Sequence, residues 1–235
     1  MTSLWALVPI KCFTRGKSRL EEMLSPEERG ELVKTCCDNV VSSLLRSGLF
    51  AGVLISTDAL GVRDWAVRYG VEVLLEEPGD SLAQVLQSGL RHIEKRGGDS
   101  GLMVMGDLPF LGVEELRRAV GALEHCDVVI APDRRGSGTN LLGFRSLEKT
   151  PIHLGEPGSF QAHRRSMERA GLSYDVVKLK GTGFDLDLPE DYWAWRRWQA
   201  ESAPLKGLSL VAQIDSAGIH RESIGSRNQT SSPGL

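Results

Sequence analysis

Four short apolar runs punctuate the first half of the chain: Leu4-Trp5-Ala6-Leu7-Val8, Val53-Leu54-Ile55-Ser56-Thr57, Val71-Glu72-Val73-Leu74-Leu75 and Gly101-Leu102-Met103-Val104-Met105-Gly106. Runs this short and this apolar read as strands buried on both faces. Helix signals stand between them. Ser25 is placed to cap a helix that begins at Pro26, carries Glu27 and Glu28 in its first turn and runs to about Gly48. Helices over 62–69, 81–95 and 113–123 follow, the first two closed by Gly70 and by Gly97-Gly98. Strands at 127–131 and 141–144, a helix at 160–171, an edge strand at 174–179 and a last helix at 191–199 complete the pattern. Strands alternating with helices through short connections predict an α/β fold, a mainly parallel sheet with helices on both faces. That pattern ends near Ala200, giving one domain over 1–200 and a C-terminal tail over 201–235. Residues 226–234 have no periodicity and read as disordered, and 208–214 could form a short extra element.

The 235 residues can bury a full core in one large domain. Net charge is −3, which excludes bulk attraction to nucleic acid or an anionic membrane. No apolar run approaches the roughly 20 residues of a membrane span. No secretory signal opens the chain, so a cytoplasmic location is expected. The four cysteines form no CxxC pair, and Cys36 and Cys37 are adjacent, which argues against a zinc site or a disulfide framework. Any basic feature must therefore be local.

One such feature follows the first strand. The loop after Pro9 carries Lys11, Arg15, Lys17 and Arg19, one glycine and no acid. A basic turn at the C-terminal end of a first parallel strand is where an open sheet holds a ligand, and here it suits nucleotide phosphates. It is neither a Walker A motif nor GxGxxG. The same residues would also make a solvated basic turn, and local sequence leaves both readings open. Asp107 follows an apolar strand in Gly106-Asp107-Leu108-Pro109, at a strand end where a carboxylate can hold Mg²⁺. Asp185 and Asp187 are two apart, so an extended segment puts both on one side, where a cation would relieve their repulsion. Alternatively, Asp187 or Glu190 only caps the last helix, with Pro189 at its start.

Two further stretches suit anions. Residues 131–140 alternate glycines with hydroxyl side chains, and Gly158-Ser159-Phe160 opens a helix with a hydroxyl at its N-terminus. Their plain alternatives are a loop between strands and an ordinary cap. His153 and His163 lack metal-ligand spacing and read as structural. Trp195 and Trp198 share a face of the last helix and read as core or subunit contacts.

Taken in order, these motifs resemble the 2-phospho-L-lactate guanylyltransferase family of coenzyme F420 biosynthesis, which includes phosphoenolpyruvate and 3-phospho-D-glycerate guanylyltransferases. The resemblance rests on Val8-Pro9-Ile10-Lys11 with Lys17-Ser18-Arg19-Leu20, Leu24-Ser25-Pro26-Glu27-Glu28-Arg29, Gly106-Asp107-Leu108-Pro109, Ala131-Pro132-Asp133 with Gly136-Ser137-Gly138-Thr139-Asn140, Gly158-Ser159-Phe160 with His163, and the run from Asp185 to Asp191. It implies a single Rossmann-like nucleotidyltransferase domain and Mg²⁺-dependent transfer of GMP from GTP to a small phosphorylated carboxylic acid, releasing pyrophosphate. It further implies that Lys11, Lys17 and Asp107 serve catalysis and that Lys11, Lys17, Arg19 and Ser81 bind the nucleotide. Thr139, Gly158 and Ser159 would bind the acceptor, and Asp107, Asp185 and Asp187 the metal. The family suggests a homodimer, with the last helix as a candidate surface. Where the family has Gly-Leu-Asn, this chain has Ser81-Leu82-Ala83. A related nucleotidyltransferase with another base or acceptor, and a non-catalytic nucleotide-binding protein, are the alternative readings.

Overall fold

A computed structural model describes residues 3–14, 16–77, 79–147 and 151–202. Contacts divide the chain into two units, Met1–Arg196 and Arg197–Leu235. Arg15, the extra element expected at 208–214 and all but the first two residues of the tail expected at 201–235 lie outside the described residues.

Seven strands form one sheet: β1 (Leu4–Pro9), β2 (Gly52–Thr57), β3 (Glu72–Leu75), β4 (Ser100–Val104), β5 (Val128–Pro132), β6 (Thr139–Phe144) and β7 (Tyr174–Val176). Their order is β3-β2-β1-β4-β6-β5-β7. β1 pairs in parallel with β2 and β4, and β2 with β3. β6 runs antiparallel to both β4 and β5, while β5 and β7 are parallel. The expected mainly parallel sheet is thus a mixed one with a single reversed strand. Strand order changes direction between β1 and β4, and ligands of open sheets bind beyond the strand ends at such a switch point. Because β6 is reversed, its first residue, Thr139, joins the C-terminal ends of β1 and β4 at the same edge.

The helices are α1 (Pro26–Ser47), α2 (Leu60–Val67), α3 (Leu82–Lys95), α4 (Val113–Ala122), α5 (Ser159–Ala170), the short α6 (Lys180–Gly183) and α7 (Pro189–Ser202), with a 3₁₀ turn over Ser18–Leu20. α1 starts where Ser25 predicts. Its Oγ accepts the Glu28 N–H at 3.2 Å, and Glu28 Oε2 accepts the Ser25 N–H at 2.7 Å, a reciprocal cap. Gly48 ends it at φ 65°, a left-handed conformation that suits glycine. None of the helices, among the described residues, is long and apolar enough to cross a membrane.

Each face of the sheet carries its own core. Val8, Val53, Ile55, Leu102 and Val104 pack with α1, α2 and α4 residues. Leu7, Leu54, Met103, Ile130 and Leu142 pack with α3 and α5 residues on the opposite face, as alternation along strands requires. α3 lies close on β1: a Cβ at Gly89 would stand 2.8 Å from Leu7 Cδ1, so only glycine fits without a shift. A third, small cluster joins Leu20, Leu32 and Cys36 to Leu186 and Trp195. It fastens the loop after β1 to the segment before α7, which are remote in sequence.

Candidate active site

The loop after β1 enters the switch point in two parts. Lys11 is exposed, makes no ion pair among the described residues and lines a cleft of about 350 Å³ with Ser56, Thr57, Asp58, Glu76 and Asp80. Lys17 is the single non-glycine residue with positive φ among the described residues, at φ 58° and ψ 42°. Such a backbone costs about 1 kcal/mol or more and persists only where the surroundings fix it. Here Lys17 Nζ donates to Asp107 Oδ2 at 2.6 Å and to Asp187 Oδ1 at 2.9 Å, with only 8% of its side chain exposed. Arg19 Nη1 reaches Asp187 Oδ2 at 3.1 Å.

Burial alone would lower the Lys17 pKa, but Asp107 and Asp187 outweigh it and hold the pKa above the ordinary lysine value. Burial also pushes the Asp187 carboxyl up, and Lys17 and Arg19 overcome it, leaving Asp187 below its ordinary value. Asp185 goes the other way: burial, then the nearby charge of Asp107, raises it. Leu186 is fully buried between these two acids, as an extended segment demands if both carboxylates face the same way. Its N–H donates to the Asp107 carbonyl at 3.2 Å, which ties the two acidic segments together. Asp107 Oδ1 is buried without a hydrogen-bond partner among the described residues. No group of three or more carboxylate, imidazole or thiol side chains among the described residues could hold a metal as it stands. The Lys17 ammonium stands between Asp107 and Asp187 instead.

A neutral cluster lies along the same sheet edge. Thr139 and Ser159 are buried, and Ser159 Oγ donates to Thr139 Oγ1 at 3.3 Å. His163, one turn further along α5, is fully buried with Nδ1 3.1 Å from Thr139 Oγ1. Burial, then the His153 ring, lowers its pKa to about 4. Gly158 turns the chain into α5 at φ 71°. The first amides of α5 are engaged: Ser159, Phe160 and Gln161 donate to the carbonyls of Glu156, Ser137 and Gly158. In the loop before β6, the Gly136 and Ser137 amides are turned onto Asp133. Hydroxyls therefore remain as the polar groups of this cluster free of a backbone role. Ser81 caps α3, in a reciprocal cap with Gln84, while its neighbours Asp80 and Leu82 line the cleft.

The structure thus brings Lys17, Arg19, Asp107, Asp185 and Asp187 into one charged cluster. Thr139, Gly158 and Ser159 form a second cluster, and Lys11 stands on the cleft. Two supporting residues carried no role in the sequence reading. Asp191, 1% exposed, accepts the N–H groups of Asp187 and Leu188 at 3.0 and 2.8 Å and pairs with Arg134. It, rather than Asp187 or Glu190, organises the start of α7. The three-residue spacing from Leu188 to Asp191, matching a side chain that reaches back to a helix start, was the available signal. His163 was read as structural, and its contact with Thr139 was invisible because 24 residues separate them.

Residues 4–193 match the family described as guanylyl transferase CofC like. The chain belongs to that family. It is 33% identical over 191 residues to a phosphoenolpyruvate guanylyltransferase of Sphaerobacter thermophilus, covering 81% of this chain and 91% of that one. It is 30% identical to a 2-phospho-L-lactate guanylyltransferase of Methanothermobacter thermautotrophicus, covering 79% and 81%. Among solved structures, a nucleotidyl transferase from Methanothermobacter thermautotrophicus superposes with a TM-score of 0.64 over 86% of this chain and 100% of that chain, at 21% identity. That likeness establishes the fold, a nucleotidyltransferase-like Rossmann arrangement.

Proposed function

We propose that the enzyme transfers GMP from GTP to phosphoenolpyruvate in coenzyme F420 biosynthesis, with pyrophosphate as the second product. The observation that carries this reading is the strained, buried Lys17 clamped between Asp107 and Asp187 at the switch point, in a chain whose relatives are guanylyltransferases. 2-Phospho-L-lactate and 3-phospho-D-glycerate offer the same carboxylate and phosphate and are the acceptors to compare. The reaction is an in-line displacement. A phosphate oxygen of the acceptor forms a bond to the α-phosphorus of GTP, and the bond from that phosphorus to the bridging oxygen of pyrophosphate breaks.

The chain's own groups suit each part. Lys17 stays charged because two carboxylates raise its pKa, so it offers fixed positive charge to phosphate oxygens. Lys11 and Arg19 add charge that solvent screens more. The cleft beside Lys11 carries Asp58, Glu76, Glu77 and Asp80, which would repel a triphosphate but suit a base that presents N–H groups. Guanine presents two adjacent donors, N1–H and the 2-amino group, the pair that one carboxylate accepts in parallel. Glu76 is the best placed of these, since Ser56 Oγ steadies its Oε1 at 2.5 Å.

Asp107, whose buried Oδ1 lacks a partner, and the hard oxygens of Asp185 and Asp187 would hold a Mg²⁺ ion, which would have to displace the Lys17 ammonium from between Asp107 and Asp187. Such a cation, when bound, supplies charge to the phosphates. The Thr139 hydroxyl, with Ser159 Oγ donating to its oxygen and the turn at Gly158 beside it, would orient the acceptor's carboxylate. A pyrophosphate-release assay across the nucleoside triphosphates, the three acceptors and metal-depleted buffer tests the whole reading. Turnover with GTP and an acceptor, dependent on Mg²⁺, is expected. Release of pyrophosphate that ignores both base and acceptor would sink it.

A further inference from the structure

His163 takes no substrate contact in the reading above, yet its hydrogen bonds fix the direction of one that does. The His153 backbone N–H donates to His163 Nε2 at 2.9 Å. A backbone amide can only donate, so Nε2 carries no hydrogen. The ring is fully buried and neutral, so its one proton resides on Nδ1. Nδ1 lies 3.1 Å from Thr139 Oγ1, so the ring's hydrogen is directed to that oxygen, with the Ser159 carbonyl as a second acceptor beside it. Ser159 Oγ donates to the same oxygen at 3.3 Å. A hydroxyl oxygen has two acceptor sites and one hydrogen. Both acceptor sites on Thr139 are filled, and the hydroxyl hydrogen has no acceptor among the described residues.

We propose that His163 is a positioning residue that locks the Thr139 hydroxyl as a hydrogen-bond donor toward the acceptor's carboxylate. This rests on the acceptor reading of Thr139 and deepens it. A freely rotating hydroxyl could turn either a lone pair or its hydrogen toward an anion. Two donors held on its oxygen leave only the hydrogen, so the site is set for an anion before the acceptor arrives. His153 serves the same purpose at one remove: its amide selects the tautomer, and its own ring is held by Ser166 Oγ at 2.7 Å.

The first test needs no variant. Long-range nitrogen–proton NMR of the ring in the wild-type protein is expected to find Nδ1 protonated and Nε2 bare across pH 5.5–8. Titration with phosphoenolpyruvate is expected to move the Nδ1–H signal. A proton on Nε2, or a signal indifferent to the acceptor at saturating concentration, overturns the proposal whether or not the protein turns over. The second test is kinetic. His163→Phe keeps a ring and removes the donor, so the KM for the acceptor should rise about tenfold with the KM for GTP unchanged. His163→Asn restores an N–H near the Nδ1 position and should recover most of that loss. In a Thr139→Val background, His163→Phe should add nothing. An equal change in both KM values, no rescue by asparagine, or additivity with Thr139→Val would reduce His163 to a packing residue. If His163→Phe fails to fold, the NMR result and the asparagine variant still decide. Wild-type protein that turns over GTP without any acceptor would refute the acceptor reading instead, leaving the ring tautomer as a separate result.

Discussion

Two polar clusters share the C-terminal edge of this sheet and are built on opposite principles. The cluster around Lys17 is charged, strained and joined by ion pairs across 90 and 170 residues of sequence. The cluster around Thr139 is neutral, buried except at Gly158, and held by hydrogen bonds whose directions are fixed. The first keeps carboxylates close together by interposing a lysine, and leaves one of them, Asp185, short of a counter-charge. The second has every donor but one assigned. A charged cluster with an imbalance suits partners that bring charge of their own, such as phosphates with a cation. A neutral cluster with one committed hydrogen suits the orientation of a single small anion. In the proposed reaction, the first would make the new bond and the second would hold the molecule that attacks.

Four experiments bear on that contrast. Asp107→Asn should lower turnover about 10³-fold, because it weakens the proposed metal site and the lysine clamp together. The melting temperature should fall little, since Lys17 keeps Asp187. Near-normal pyrophosphate release by this variant would remove the charged cluster from the chemistry.

Acid is the next largest effect and belongs to the neutral cluster. The His163 pKa falls from 6.5 to about 4 on folding. Between those values the unfolded chain takes up a proton at this residue and the folded chain does not. Folding therefore weakens as pH falls from 6.5 to 4, by on the order of 3 kcal/mol at that one residue. Above pH 6.5 the contribution is fully present. Denaturant unfolding at several pH values should show this slope in wild type and lose it in His163→Asn. Parallel curves for the two proteins would mean that the ring is solvated. Asp185, with its raised pKa, contributes the opposite slope in both proteins and cancels in the comparison.

Lys17→Met should lower turnover about 10²-fold. It should also make Mg²⁺ raise the melting temperature more than in wild type, because Asp107 then loses its ion pair and Asp187 keeps only Arg19. A normal rate in this variant would take Lys17 out of the chemistry and leave it a structural clamp between Asp107 and Asp187. Ser159→Ala is the mildest of the four. It should raise the acceptor's KM by roughly tenfold or less and leave the KM for GTP alone. A change in the KM for GTP instead would mean that the two clusters do not divide the substrates as described.

Much of the frame was legible along the chain. The buried strands at 4–8, 53–57 and 101–104, the capped start at Ser25 and the glycine stop at Gly48 all depend on patterns a few residues long. Such local signals survive without knowledge of the partner segments. The carboxylates Asp107, Asp185 and Asp187 were legible for a similar reason: each stands where a strand end or an extended segment gives way to a turn. The reversal of β6 was not legible. A short apolar run has no direction of its own, and only its pairing with β4 and β5 decides it. That reversal brings Thr139 to the sheet edge that also bears Asp107. Nor could the ion pairs of Lys17 with Asp107 and Asp187 be read. A basic loop looks the same whether it faces water or carboxylates, and the left-handed backbone at Lys17 has no glycine to announce it.

The sequence by itself therefore determined the element types, the layers and the kinds of side chain at the strand ends, because these follow from periodicity and local capping. The tertiary structure alone decided which of those side chains meet. Lys17 finds Asp107 and Asp187 because Leu20, Leu186 and Trp195 share one small core. His163 finds Thr139 because α5 packs on the face of the sheet where β6 begins. In both cases apolar packing between distant segments, which no local pattern encodes, sets the polar geometry.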